Sequence, residues 1–189
     1  MELLACAPIV ALEDAFAKDD VFTALKLKER LDLEMIKVAE AAENDAGGAP
    51  SGDQMLSLQP VGGDSECVLQ LVGDLVCESA EDIEKYDDSR TVNTLALTLR
   101  KGKTVSGCLA LAAKAKAHGC AVMVASETEC GETDEAFSAH FAVGIRAGQF
   151  KAGGLFGIEH AAKYTALVKL GAGDKAAGWI GPNFRSSAA

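Results

Sequence analysis

The chain has 189 residues, of which 49% are hydrophobic and 24% charged, the balance of one folded domain rather than a disordered polymer. Its formal net charge of −10 argues against a nucleic-acid grip built on phosphate neutralisation and against docking to anionic lipid. No apolar run approaches the ~20 residues that span a bilayer, and the start Met1-Glu2-Leu3-Leu4-Ala5-Cys6 lacks the basic flank and long apolar stretch of a secretion signal.

Pro8-Ile9-Val10-Ala11-Leu12 is a short apolar run closed by Glu13-Asp14, which predicts a buried strand with polar groups at its end. Asp19-Asp20 supplies helix N-cap chemistry, and Leu27, Leu31, Met35 and Val38 then recur at helical spacing, so a helix is expected to about residue 42. From 44 to 66 the rhythm breaks in Gly, Pro, Ser and Asp around a small Leu56/Leu58 island. A loop of that length inside a compact domain reads as an insertion. Residues 68–72 predict a second short strand ending in Gly73-Asp74, and a helix near 79–87 is opened by Ser79 with acids in its first turn. Strand at 94–99, an alanine-rich helix at 105–117 with Gly119 at its C′ position, and strand at 120–124 follow. Residues 133–146 read as helix, 148–151 as a clipped strand and 159–170 as a last amphipathic helix, with a loose tail from Gly171.

Short apolar strands alternating with helices indicate an α/β architecture with a parallel sheet. Polar residues fall just after strand ends, at Glu13, Asp74, Glu132 and Lys151, the rim where α/β barrels bind ligands. A closed eight-stranded barrel takes at least ~200 residues. With about five strand–helix units, the expected fold is a partial TIM-type barrel. Charge is uneven: residues 1–90 carry 21 acids and 7 bases, the remainder 7 acids and 11 bases, which reads more simply as two solvated faces than as mutual attraction. Cys6, Cys67, Cys77, Cys108, Cys120 and Cys130 include no CxxC pair, so structural zinc is not expected; a reducing compartment fits best.

The ordered series from Val10-Ala11-Leu12-Glu13-Asp14 to Asp19-Asp20, then Leu71-Val72-Gly73-Asp74, Cys120 to Val124 through Gly131-Glu132-Thr133-Asp134, Gly148-Gln149-Phe150-Lys151 and Ala162-Lys163-Tyr164 resembles the C-terminal barrel of enolase, phosphopyruvate hydratase. The resemblance covers 1–38 and 67–170 and begins about two-thirds of the way into an ordinary family member. It divides the chain into a first strand–helix unit (1–43), an insertion loop (44–66), the remaining units (67–170) and a tail (171–189). The family removes water from 2-phosphoglycerate, with a lysine base and Mg²⁺ holding the aci-carboxylate. By resemblance Glu13 and Asp74 match two of three carboxylate ligands of the tight magnesium site, and Lys151 the substrate-contacting lysine of the GQ-x-K segment.

Departures from that pattern are equally specific. Where the family's base ends a strand as L-L-L-K, this chain has Leu95-Ala96-Leu97-Thr98, and threonine has neither the pKa nor the charge to act as that base. The S-H-R-S-G-E loop is replaced by Ala125-Ser126-Glu127-Thr128-Glu129-Cys130-Gly131-Glu132, which lacks His and Arg and sets two glutamates where a phosphate would bind. Arg100, Lys101 and Lys103 lie nearby with no equivalent aim expected. Glu13 and Asp74 read either as a weakened cation site or as strand-end residues without a ligand, and Lys151 either as an anion contact or as their ion-pair partner. His118, His140 and His160 are expected on helices away from strand ends, Gly153-Gly154-Leu155-Phe156-Gly157 as a post-strand turn rather than a phosphate loop, and 127–135 as a solvated acidic loop.

The reading that follows is an enolase-like domain without catalysis, serving as a structural or interaction subunit of a larger assembly. Mg²⁺ binding is then weak or lost, and protein partners complete or bury the partial barrel. The resemblance implies a cytoplasmic location, extending to cytoskeletal or ciliary assemblies. Two alternatives stand beside it: part of a split or complex-borne Mg-dependent phosphopyruvate hydratase, and a metabolite-binding regulator using Lys151 with Glu13 and Asp74. Neither nucleic acid nor membrane is an expected partner.

Overall fold

A computed structural model describes residues 9–44, 69–89, 91–126 and 133–173. The expected insertion with Leu56 and Leu58, the acidic residues 127–132, Cys6, Cys67 and Cys130, and the tail from 174 lie outside the described residues. Among the described residues, eleven elements follow in chain order: β1 (Ala11–Glu13), α1 (Val21–Asn44), β2 (Gln70–Gly73), α2 (Ala80–Ser89), β3 (Thr94–Leu97), α3 (Leu99–Gly102), α4 (Val105–Ala117), β4 (Ala121–Ala125), α5 (Phe137–Gly144), β5 (Gln149–Lys151) and α6 (Ile158–Gly173). The strands form one all-parallel sheet in the order β1-β2-β3-β4-β5, curled into a half-barrel of the TIM type.

Strand alternation sorts the two faces of the sheet. Leu95, Leu97, Val122 and Val124 point outward into a cluster with Ile83 and Tyr86 of α2, Cys108, Ala112 and Ala115 of α4, and Phe141 and Ala142 of α5. The small residues of α4 let its backbone lie close to β3 and β4; removing a buried Leu97 or Val124 side chain from water contributes roughly 1.5–3 kcal/mol. A second cluster, Leu69, Leu71 and Leu31 with Ile9, Leu12 and Leu27, packs α1 on the outer side of β1 and β2. The register then places Ala11, Glu13, Gln70, Val72, Thr94, Ala96, Ala121, Met123, Ala125, Gln149 and Lys151 on the opposite, inner face.

Polar groups between β2 and β3 are satisfied by one another. Asn93 donates through Nδ2 to the Leu69 carbonyl (3.0 Å) and accepts from the Leu71 N–H (2.8 Å), while buried Gln70 donates to Thr94 Oγ1 (3.0 Å). These bonds fix β2 against β3 where an unpaired amide would cost about 1–3 kcal/mol.

Local chemistry sets the helix ends. Asp20 accepts from the Thr23 N–H (3.1 Å) at the start of α1. Ser79 and Asp82 form a reciprocal box at the start of α2, with the Asp82 N–H on Ser79 Oγ (3.2 Å) and the Ser79 N–H on Asp82 Oδ2 (3.0 Å). Thr104 accepts from the Gly107 N–H (3.0 Å) to open α4, and Gly119, at φ 75°, closes it as expected. Three boundaries differ from the sequence reading. β3 stops at Leu97 because Thr98, extended at φ −96° and ψ 156°, is already the N-cap of the one-turn α3. The helix expected over 133–146 is only α5, since Glu135 accepts from both the N–H and the hydroxyl of Ser138 (3.0 and 2.8 Å) and Arg146 turns left-handed at φ 52°. α6 continues to Gly173, so residues 171–173 are helix rather than tail. No helix among the described residues is long and apolar enough to cross a membrane.

Candidate functional site

The five described strands point their C-terminal ends the same way, and the charged side chains of the inner face lie at that rim. Glu13 and Lys151 are the last residues of β1 and β5. Asp74 lies two residues beyond Val72 and Thr98 two beyond Ala96, so alternation turns both inward. The turn bearing Asp74 is held by Asp14, left-handed at φ 44°, a conformation that Asp tolerates better than most residues. Its carboxylate accepts from the N–H groups of Asp74 (2.9 Å) and Leu75 (2.8 Å).

The sheet's curl brings its two outermost strands together at the rim. Lys151 Nζ donates to Glu13 Oε1 at 2.5 Å and to Asp74 Oδ2 at 3.0 Å, so one ammonium from β5 reaches both β1 and β2. Lys151 is thus an ion-pair partner of both carboxylates in this structure.

Lys101 is the residue that sequence reasoning missed. Strand-end geometry gave it no aim at the site, yet α3 returns its side chain to the rim. Nζ donates to Asp74 Oδ1 (2.9 Å), the Asp74 carbonyl (2.7 Å) and the Ala96 carbonyl (2.6 Å), with the side chain only 3% exposed. The cause is local. A Cβ on Gly107 would sit 2.0 Å from the Gly102 carbonyl oxygen, and one on Gly102 would sit 2.3 Å from Cys108 N, so the two glycines let α3 lie against the start of α4. The signal was the Gly102/Gly107 pair around Thr104, legible only once β3 is known to stop at Leu97.

Electrostatics follow from these contacts. Burial works to raise the Asp74 carboxyl, but hydrogen bonds and charge from Lys101 and then Lys151 outweigh it and hold the group below its ordinary value. For Lys151 burial works downward, and Glu13 and Asp74 together leave the amine raised. Beneath the rim, the buried hydroxyls of Thr98 and Ser126 and the Gln149 Nε2 find no hydrogen-bond partner among the described residues. His118 caps α4 and His140 is exposed on α5, whereas His160 sits nearer a strand end than expected, with Nδ1 3.0 Å from the Ala152 carbonyl just past β5. Gly153 and Gly157, at φ 81° and 89°, make the glycine-rich segment a turn between β5 and α6.

Residues 57–187 match the family described as Enolase, C-terminal TIM barrel domain. The chain belongs to the enolase family. Among curated relatives, Enolase B of Dictyostelium discoideum is 34% identical over 103 residues, which is 54% of this chain and 23% of that protein. The chain thus spans less than a quarter of that relative's length. Asp74, Thr98, Lys101 and Lys151 lie inside the matched residues of the enolase domain; Glu13 lies before them and is brought to the site by the pairing of β1 with β2.

Enolases generally use Mg²⁺. That ion prefers octahedral oxygen ligation with carboxylates free to coordinate. Here both rim carboxylates already accept ammonium protons, and among the described residues no group of three or more His, Cys, Asp and Glu is placed to hold a metal. The donor set in this arrangement does not fit the ion.

Proposed function

We propose that this chain is an enolase-like domain that does not catalyse phosphopyruvate hydratase chemistry and serves as a structural or interaction subunit of a larger assembly. The observation that carries the reading is Thr98. It stands at the inner-face position where the family pattern ends a strand in lysine, and its hydroxyl is buried without a partner among the described residues. A neutral hydroxyl of very high pKa does not abstract a carbon-bound proton at neutral pH, and loss of a general base alone costs several orders of magnitude in rate. The strands and their packing remain fully specified around it, which supports selection for a surface rather than for turnover. Mg²⁺ binding is weak or lost in this reading, and the partners are proteins that complete or bury the half-barrel, in the cytoplasm or in cytoskeletal and ciliary assemblies.

A second reading, part of a split or complex-borne phosphopyruvate hydratase, is favoured by the convergence of Glu13, Asp74 and Lys151 at one rim. Thr98 separates the two, because a partner chain can add missing strands but not replace a residue this chain already places. Native mass spectrometry of the endogenous protein, with the co-purifying fraction assayed for dehydration of 2-phosphoglycerate under Mg²⁺, tests both. A stable assembly with other chains and no turnover is expected. Turnover that vanishes on depletion of this chain, with ordinary enolase removed, would overturn the first reading in favour of the second.

A further inference from the structure

The Asp74 carboxylate, where a divalent cation would be drawn, is already ligated by a cation of the chain itself. An ammonium has three protons, and those of Lys101 meet three oxygens at 2.6–2.9 Å: one carboxylate oxygen and two main-chain carbonyls. Carboxylate and carbonyl oxygens are also what a hard metal ion takes as ligands. The remaining Asp74 oxygen and Glu13 Oε1 are held by Lys151. Two carboxylates are thus balanced by two ammoniums. A divalent ion placed among them would either carry two uncompensated positive charges into a half-buried site or expel a lysine whose side chain is 3% exposed.

We propose that Lys101 is a resident cation that occupies the Asp74 carboxylate and, beside Lys151, closes the rim to Mg²⁺. The inference concerns cation occupancy alone and goes beyond the question of turnover. Lys101 is a positioning residue here: it replaces the charge of an ion and so keeps Asp74 and the end of β3 in place without one.

The test uses Mn²⁺ as a paramagnetic probe of the same oxygen chemistry, with the full chain and no substrate. Wild type is expected to bind Mn²⁺ weakly, with the same affinity as Asp74→Asn. Lys101→Gln, which keeps length and removes charge, gains at least ~10-fold in affinity, and adding Asp74→Asn removes the gain. In the unmodified chain, acetylation of Lys101, read by peptide mass spectrometry, runs at least ~10-fold slower than at exposed Lys103 and does not accelerate in millimolar Mg²⁺. This arm decides the matter even where Lys101→Gln fails to fold. Tight Mn²⁺ binding by wild type that Asp74→Asn abolishes, or Mg²⁺-dependent exposure of Lys101, would overturn the proposal. So would a folded Lys101→Gln that gains nothing. None of these measurements depends on dehydration of 2-phosphoglycerate, so failure here and failure of the inactive reading are separate results.

Discussion

Asp74 concentrates the chemistry of the rim in one side chain, because it pairs with Lys101 and shares Lys151 with Glu13. Asp74→Asn removes that charge from beside the almost fully buried Lys101 and is expected to cost about 2–4 kcal/mol in urea unfolding. The pH dependence has two limbs. The Asp74 carboxyl is depressed below its ordinary 3.8, so its contribution is complete above that value and is lost as pH falls through the lower folded-state value. The Lys151 amine is raised above 10.5, so its contribution is complete below 10.5 and is lost as pH climbs past it. Unfolding midpoints measured across pH should therefore show the acid limb shrinking in Asp74→Asn and the alkaline limb shrinking in Lys151→Met. Thr98 behaves oppositely. Its hydroxyl is buried without a partner among the described residues, so Thr98→Val exchanges it for a methyl of the same shape and should raise stability by about 1 kcal/mol. A loss of stability in that variant would mean that the hydroxyl does have a partner in solution. At this scale Glu13, Asp74 and Lys151 were legible as strand-end polar residues. Lys101 was not, because its place depends on a three-dimensional return of the chain that no residue pattern within β3 announces.

The elements themselves were largely readable because apolar runs and cap residues agree with each other: Asp20, Ser79, Thr104 and Gly119 each mark a helix end both in sequence and in structure. The misreadings have local causes. Glu135 holds the Ser138 N–H and delays α5, and Thr98 takes up an extended cap conformation two residues before the apolar run of β3 is exhausted. α3 is the element most sensitive to single substitutions, since it lies on α4 with no room for a methyl group. Gly107→Ala would set a Cβ 2.0 Å from the Gly102 carbonyl, main chain that cannot swing aside, and is expected to cost about 3 kcal/mol. The informative readout is positional. If α3 is what aims Lys101, the same variant should raise the acetylation rate of Lys101 while leaving that of Lys114, on the far end of α4, unchanged. Equal acceleration at both lysines would indicate general loosening of the fold instead.

The described sheet is an arc whose two ends are tied by Lys151, so its first and last strands share an ion pair across its mouth. That tie spans the mouth of the described inner face, within which Thr94, Ala96 and Ala121 are buried. The edge strands are three residues long each, too short to template strong strand addition. What stands open is apolar surface at the last unit: Leu155, Phe156 and Ile158 are 78%, 89% and 74% exposed, and Val168 of α6 is 72% exposed. A groove lined by Ala136, His140, Ile158, Ala162 and Leu170 runs between the start of α5 and α6. Exposed large apolar side chains clustered on one unit favour association more strongly than short edges do. The chain on its own is therefore expected to be non-monomeric at micromolar concentration by native mass spectrometry. Phe156→Ser combined with Ile158→Ser should shift it toward monomer, with each exposed substitution costing less than about 0.5 kcal/mol in unfolding. A wild-type chain that stays monomeric throughout would remove the physical reason for placing this domain in an assembly, and the half-barrel would then have to be stable with its apolar face in water.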